Sequence, residues 1–258
     1  MIIVETPGSQ DGLTNMDEDR RSALACVNGR TSAHIRLYGW HPAAVSLGSN
    51  QSFEIINSDI AHQHGVDIVS RPTGGGAILH TDELTYCITL PLWGRTPSAV
   101  YAVITAALLK GLARLGISAD AESWPSAFSP NGPYVRDQLC FSGIARNEIR
   151  VRGKKLVGSA QRIYRTPNGD RVILQHGSIL LSDAHTSLPV YLNDTASESV
   201  DRKVQELRDR STSITEALCR RPVLDELTAA IRCGFEETPE LWIVPIQAAE
   251  EAHQEVIA

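Results

Sequence analysis

Four short stretches of this chain carry residue types that do chemistry. The first is Arg71-Pro72-Thr73-Gly74-Gly75-Gly76-Ala77, with His80 just beyond it. Three consecutive glycines remove three side chains, so a ligand can approach the backbone N–H groups closely. An arginine at the mouth of such a turn pairs with a carboxylate, a phosphate or a thioester oxygen. The same residues also describe a strained hairpin whose glycines only permit positive φ, and physics alone leaves the two readings even. Neither a dinucleotide fingerprint nor a P-loop is present, because the glycine spacing differs and no Gly-Lys-Ser/Thr follows.

The second stretch is Gly153-Lys154-Lys155-Leu156-Val157-Gly158-Ser159-Ala160-Gln161. Lys154 reads as part of an exposed turn. Lys155 opens a strand and can point inward, where an ammonium needs an anionic or carbonyl partner to offset its desolvation. Gly158, Ser159 and Ala160 leave room beside that strand, for a ligand or for a closely packed helix. The third feature is Cys140, at the end of a proline-rich loop and ahead of a basic stretch that would favour the nucleophilic thiolate. Cys26, Cys87, Cys219 and Cys233 fall in apolar-periodic segments and read as small buried hydrophobes. The fourth stretch is Leu174-Gln175-His176-Gly177-Ser178, in which His176, like His80, is a structural hydrogen-bonding residue or a pocket wall. The other histidines make no metal-ligand spacing; His62 and His64 are two apart and would face opposite sides of a strand.

The elements that must position these residues are legible from periodicity. A helix is expected over 14–27, capped by Thr14 or Asn15, with Asp17, Glu18 and Asp19 in a first turn where the dipole favours acids. Strands are expected at 34–38, 44–48, 66–71 and 83–90, the last two joined by the glycine turn. The clearest helix runs over 97–115, with Pro97 in its first turn and Gly116 as its stop. Strands 147–151 and 156–161 meet at Arg152-Gly153-Lys154, and a third strand runs over 171–181. Residues 183–201 read as a polar loop, and 213–235 as helical with a break at Pro222. The simplest architecture is α+β: a mixed β-sheet flanked by helices in a domain over 1–211, with a small helical C-terminal lobe over 212–258 packed on it.

Composition sets the outer bounds. The chain has 258 residues, 42% apolar and 21% charged, which is ordinary globular material long enough to bury a core without staples. A net charge of −6 argues against a general nucleic-acid binder. No apolar run approaches the ~18 residues of a membrane span, and the first residues do not read as a secretory signal. Five cysteines without a C-x-x-C pair fit neither a disulfide framework nor a zinc knuckle, so the cytoplasm is the expected compartment. The charge is uneven: between Arg146 and Arg171 eight basic residues face two acidic ones, a net of +6.

Taken together and in this order, the motifs resemble the catalytic domain shared by lipoate-protein ligases, biotin-protein ligases and the octanoyltransferases of lipoate assembly. The resemblance rests on Arg71-Pro72-Thr73-Gly74-Gly75-Gly76-Ala77-Ile78-Leu79-His80, Leu84-Thr85-Tyr86, Lys155 to Gln161 and Leu174 to Ser178, with Asn15-Met16, Ser46-Leu47-Gly48 and Gln51 in support. It covers roughly residues 1–235. It implies an acyl chain held under the glycine turn, and Lys155 contacting the acyl carbonyl or activated carboxyl. Arg71, Thr73, Gly74, Gly75, Gly76, His80, Gly158, Ser159, Ala160 and His176 then form the acyl and substrate site, with no metal among these residues.

Two modes of activation are implied. Cys140-Phe141 followed by the Lys155 motif resembles octanoyltransferases that hold octanoate as a thioester on a loop cysteine. Cys140 and Lys155 would then be the catalytic residues and no cofactor would be needed. The donor would be acyl carrier protein, and the acceptor a lysine in a lipoyl domain of a 2-oxoacid dehydrogenase E2 subunit or in the glycine cleavage H protein. Against this, Arg146-Asn147-Glu148-Ile149 is similar to the Arg-Asn-Asp-aliphatic segment with which ATP-dependent lipoate ligases hold nucleotide and Mg²⁺, although Glu148 departs from it. In that alternative ATP and Mg would be the cofactors. The transferase is the preferred expectation, because only 23 residues follow position 235, too few for an accessory domain. Neither alternative involves nucleic acid or a membrane. The acidic character of such carrier proteins would let the basic block around Lys155 steer them.

Overall fold

The computed structural model describes residues 2–29, 33–121, 148–193 and 197–242. Its centre is a mixed seven-stranded sheet. The edge strand β1 (Ile2–Gln10), which the sequence reading lacked, runs parallel to β2 (Ala33–Trp40). Between them lies α1 (Gly12–Val27). Asp11, not Thr14 or Asn15, caps this helix: its carboxylate accepts from the Thr14 N–H at 2.9 Å and the Thr14 hydroxyl at 2.7 Å. The earlier start moves the acidic run out of the first turn. Asp19 falls on the stripe of Asn15, Met16, Ala23 and Cys26 and is buried against the sheet.

After β2 the chain builds a second sheet of three strands. Its centre is β3 (Ala44–Leu47). A single turn of 3-10 helix (Phe53–Ile55) and α2 (Ser58–Gln63) lead to β4 (Asp67–Ser70), which pairs parallel with β3. The glycine turn follows and leads into β5 (Ile78–His80), antiparallel on the other side of β3. The turn therefore joins β4 to β5 within the small sheet and does not lead directly into β6 (Glu83–Pro91), which returns to the large sheet beside β2. Two short strands flanking a third cannot be told from one mixed sheet by periodicity, because three or four residues are too few to show which sheet a strand joins.

The expected helix α3 (Pro97–Arg114) is capped by Thr96. The large sheet is completed by β7 (Asp120–Ala121), β8 (Ile149–Val151), β9 (Lys154–Arg165) and β10 (Arg171–Leu180). Its strand order is β1-β2-β6-β10-β9-β8-β7. The stretch read as a polar loop contains a 3-10 helix (Ala184–Tyr191) and the start of α4 (Ser197–Arg210), which runs on beyond it. The helical region beyond it resolves into α5 (Ile214–Leu218) and α6 (Leu224–Glu236), interrupted near Pro222, with a last 3-10 turn at Pro239–Leu241.

Alternation along the strands sorts the core into layers. Ile35, Tyr86, Ile88 and Ile173 face Ile104, Leu108, Leu112, Leu227, Ile231 and Phe235 of α3 and α6. Tyr38, Cys87 and Leu174 face the opposite way, onto Met16 and Ala23 of α1 and Val69 of the small sheet. No helix among the described residues is long and apolar enough to cross a membrane.

Candidate active site

The glycine turn is shaped by Arg71. Its Nη1 donates to the Ser46 carbonyl at 3.0 Å and approaches the Ser46 hydroxyl at 3.2 Å. Its Nη2 donates to the Gly74 and Gly76 carbonyls at 2.8 and 2.7 Å. The guanidinium is thus a strut inside the turn, a use the sequence reading did not assign to it. Gly48 backs the turn from β3: a Cβ there would overlap the Gly75 carbonyl. On the outer side Gly75 is exposed and a side chain at Gly74 would meet open space, so the backbone there is approachable.

Two chains of carboxylate, imidazole and hydroxyl hold this turn. In one, Thr73 Oγ1 lies 2.7 Å from His176 Nε2, and His176 Nδ1 lies 2.9 Å from Asp19 Oδ2. Asp19 also accepts from the Tyr38 hydroxyl at 2.9 Å and from Arg36. In the other, Ser46 Oγ lies 2.7 Å from His80 Nε2, and His80 Nδ1 lies 2.9 Å from Glu83 Oε1. The His80 ring also stacks on Trp40 at 4.0 Å.

Electrostatics fixes the proton positions in the first chain. Burial pushes the Asp19 carboxyl up, but the His176 bond, the Arg36 charge and the Tyr38 bond outweigh it and hold it below the ordinary range. Burial pushes His176 down, and the Asp19 bond offsets this only in part. His176 is therefore neutral near pH 7, donates from Nδ1 to Asp19, and accepts the Thr73 hydroxyl at Nε2.

The antiparallel pairing of β9 and β10 places Ala160 opposite His176, Ser159 opposite Gly177 and Gly158 opposite Ser178. A Cβ at Gly177 would collide with the Gly158 carbonyl and sit 2.8 Å from a Tyr86 ring carbon. Ser159 Oγ bonds the Tyr86 hydroxyl at 2.6 Å. The small residues of the two motifs thus answer one another across the sheet.

Lys155 lies at the other end of β9, where the register shifts between Ile149 and Arg150 of β8. The tight turn of Arg152 (φ 51°) and Gly153 (φ 78°) folds β8 back along β9. This brings Glu148, the residue before β8, onto the Lys155 ammonium as an ion pair. Both are only 5% exposed. The Lys155 carbonyl accepts from Thr212 N–H at 2.9 Å, and Ser211 Oγ bonds His185 Nε2 at 2.9 Å. Burial pushes His185 down to about 4, and the Lys155 charge acts in the same direction, so this ring is neutral near pH 7.

Cys140 lies outside the described residues, as do Arg146 and Asn147. Among the other cysteines, burial pushes Cys26 up to about 11 and raises Cys87 further, which suits inert thiols. Cys219 and Cys233 depart from the expectation of burial: Cys219 is exposed at the end of α5 and Cys233 is half-buried on α6. Asp19, Cys87 and His176 lie close enough together to suggest a metal site. However, Asp19 and His176 are bonded to each other, and a thiol with an imidazole does not suit magnesium. A cleft of about 350 Å³ beside Trp40, Asp82 and Arg221 touches none of the residues singled out from sequence.

Residues 11–236 match the lipoyl protein ligase A/B catalytic domain. The chain belongs to this family. It is 34% identical over 254 residues to the octanoyltransferase LipM of Symbiobacterium thermophilum, covering 96% of this chain and 90% of that one. The octanoyltransferase LipM of Bacillus subtilis is 32% identical over 228 residues, covering 84% and 78%. In fold, the chain is similar to the bipartite lipoate protein ligase of Thermoplasma acidophilum, with a TM-score of 0.67 at 20% identity over 93% of this chain and 83% of that one. The family membership makes the chain an acyltransferase of protein lipoylation and accounts for the mixed sheet flanked by helices.

Three buried residues that meet the motif residues are not singled out by the sequence. Asp19 had a usable signal, since it lies four residues after Asn15 on an apolar stripe, but the misplaced helix start concealed it. Glu148 stood out only as a departure from a ligase motif. His185 had no signal: it joins the Lys155 neighbourhood through a 3-10 helix that composition alone reads as loop.

Proposed function

We propose that this chain moves an octanoyl group from acyl carrier protein, through a thioester on Cys140, to a lysine of a lipoyl-carrier domain. Acceptors of this kind are the lipoyl domain of a 2-oxoacid dehydrogenase E2 subunit and the glycine cleavage H protein. In the first step the Cys140 thiolate attacks the carbonyl of the donor thioester, and the donor's thiolate leaves. In the second the acceptor amine attacks the acyl-enzyme and loses a proton, and the Cys140 thiolate leaves. Thioester exchange is close to isoenergetic, and aminolysis runs downhill, so neither ATP nor a metal is required. A hydrogen of the Lys155 ammonium and the open backbone of the glycine turn would stabilise the developing oxyanion.

One observation carries this reading over an ATP-dependent ligase: Glu148, the acid at the position where the ligase resemblance puts a nucleotide and magnesium ligand, is buried and paired with Lys155. The likeness to two octanoyltransferases over most of the chain supports it. Intact-mass analysis after mixing the protein with octanoyl-acyl carrier protein, with and without ATP, tests it. An octanoyl adduct that forms without ATP and is absent from Cys140→Ser is expected. Acylation of a lipoyl domain only from free octanoate or lipoate with Mg·ATP would establish the ligase instead.

A further inference from the structure

Ser159 and Gln161 flank Ala160 on β9, and both are held from one side of the sheet. Register sets this up: Tyr86 of β6, Gly177 of β10 and Ser159 of β9 lie in one row across three strands. The Tyr86 ring crosses the middle strand at Gly177, where a Cβ would sit 2.8 Å from a ring carbon, and its hydroxyl meets Ser159 Oγ at 2.6 Å. Two residues along β9, Gln161 Nε2 donates to Gln175 Oε1 at 2.7 Å, and Gln175 Nε2 donates to the Tyr86 oxygen at 2.9 Å. That last bond leaves the Tyr86 O–H to donate to Ser159. Tyr86 and Gln175 are fully buried, with Phe235 of α6 packed beside the Tyr86 ring. Burial pushes the Tyr86 hydroxyl up, so it remains a donor near pH 7.

Directly opposed residues share a face of a sheet, and neighbours along a strand alternate. The row of Cys87, His176 and Ala160 therefore faces the other way, toward α1, where His176 meets Asp19. The polar tie on the α6 side thus fixes how closely β9 lies on β10, directly behind the residues that the resemblance gives to the acyl site. A buried hydrogen-bonded chain specifies one arrangement of its strands. Apolar burial alone is non-directional and fixes their spacing less sharply.

We propose that Tyr86 is a positioning and specificity residue: through Ser159 it sets the spacing of β9 on β10, and so the width of the acyl site lined on the opposite face by Gly158, Ala160 and His176. This rests on the reading of those three residues as part of the acyl site. Without the tie, β9 is free to move off β10, and the site discriminates less sharply between acyl chains.

The test compares wild type, Tyr86→Phe, Ser159→Ala and Ser159→Thr in acylation of a lipoyl domain. The two donors are octanoyl- and dodecanoyl-acyl carrier protein. Tyr86→Phe and Ser159→Ala should each lower the ratio of kcat/KM for octanoyl over dodecanoyl by about threefold or more, chiefly through a higher KM for the octanoyl donor. The double variant should lower it no further than either single one, because both remove the same bond. Ser159→Thr, which keeps the hydroxyl, should hold the ratio near that of wild type. A lower unfolding temperature in Tyr86→Phe with the ratio unmoved would reduce the tie to a structural prop and overturn the proposal. If Tyr86→Phe does not fold, the contrast between Ser159→Ala and Ser159→Thr decides on the same ratio. A wild-type protein that forms the Cys140 adduct while the ratio stays unmoved in the variants defeats this inference alone. Absence of that adduct defeats the transferase reading. The two chain lengths are then supplied as free acids with Mg·ATP, and an unmoved ratio there overturns the inference as well.

Discussion

The molecule holds buried carboxylates in two settings, and the contrast separates holding from reacting. Under the glycine turn, Asp19 receives Arg36, Tyr38 and His176 at once, and His176 passes the connection on to Thr73. The polar groups of that chain from Arg36 to Thr73 tie together α1, β1, β2, β10 and the turn itself. Such a closed network fixes one backbone shape. At the other end of β9, Glu148 and Lys155 form a pair at a register shift, next to the segment that holds Cys140 in sequence. An ion pair set at such a register shift is held by two strands, not by a closed network.

The largest expected effect tests the closed side. Asp19→Ala leaves the Arg36 charge, the Tyr38 hydroxyl and the His176 N–H buried without their acceptor. Breaking a buried charge pair from one side costs about 3–5 kcal/mol. The midpoint of urea unfolding should fall accordingly with an unchanged slope. A loss under 1 kcal/mol would show that the network is not what holds α1 to the sheet.

The second prediction tests the open side in the opposite sense. Replacing both partners of a buried ion pair by apolar residues of similar volume is often neutral for stability. The double variant Lys155→Met, Glu148→Leu should therefore unfold within about 1 kcal/mol of wild type. Its transfer rate should fall by about 10²–10³, the usual cost of one oxyanion donor. A double variant that unfolds early but retains its rate would invert the comparison.

His185 gives a third test, through pH. Its folded-state pKa of about 4 lies below the ordinary histidine value of about 6.5. Between these values the unfolded chain binds the proton and the folded chain does not, so stability rises with pH across this window. The contribution is complete above about pH 6.5 and is lost as pH falls toward 4, up to about 3 kcal/mol. His176, also pushed down, acts with the same sign. His185→Asn should flatten this acid limb in urea titrations at pH 4.5, 5.5 and 7, and Asp19→Ala should not flatten it further through His185. An unchanged limb in His185→Asn would place the acid sensitivity on the closed network instead.

The same contrast explains what the sequence made legible. Long periodic elements such as α3, and the alternating strands β2, β6 and β10, were readable because one physical signal dominates each of them. The glycine turn and the Lys155 strand were readable as motifs, because their composition is improbable for any bland loop. Partners were not readable. Asp19 meets His176 across 157 positions of chain, and nothing local to either residue states that distance. One misplaced helix cap was enough to explain Asp19 as a first-turn acid and to leave its buried role unread. The edge strand β1 and the helix α4 were missed for a related reason: both are largely polar, and their order comes from what they pair with or pack on.

The smallest expected effect concerns the charged rim. Arg162, Arg165 and Arg171 lie near the outer end of the β9–β10 hairpin and are exposed, and they account for part of the basic block read from the sequence. Exposed charges contribute little to folding, so Arg165→Glu with Arg171→Glu should leave unfolding within about 0.5 kcal/mol of wild type. If carrier proteins approach along this rim, the same variant should raise KM for the protein substrates severalfold at low salt. It should have no effect on acylation by a small neutral donor such as octanoyl pantetheine, and its deficit should vanish at about 0.5 M salt, where the screening length is a few ångströms. A variant that matches wild type on protein donors at every salt concentration would make this block a solvated hairpin. Lys155 would then be the one member of the basic block that the reaction uses.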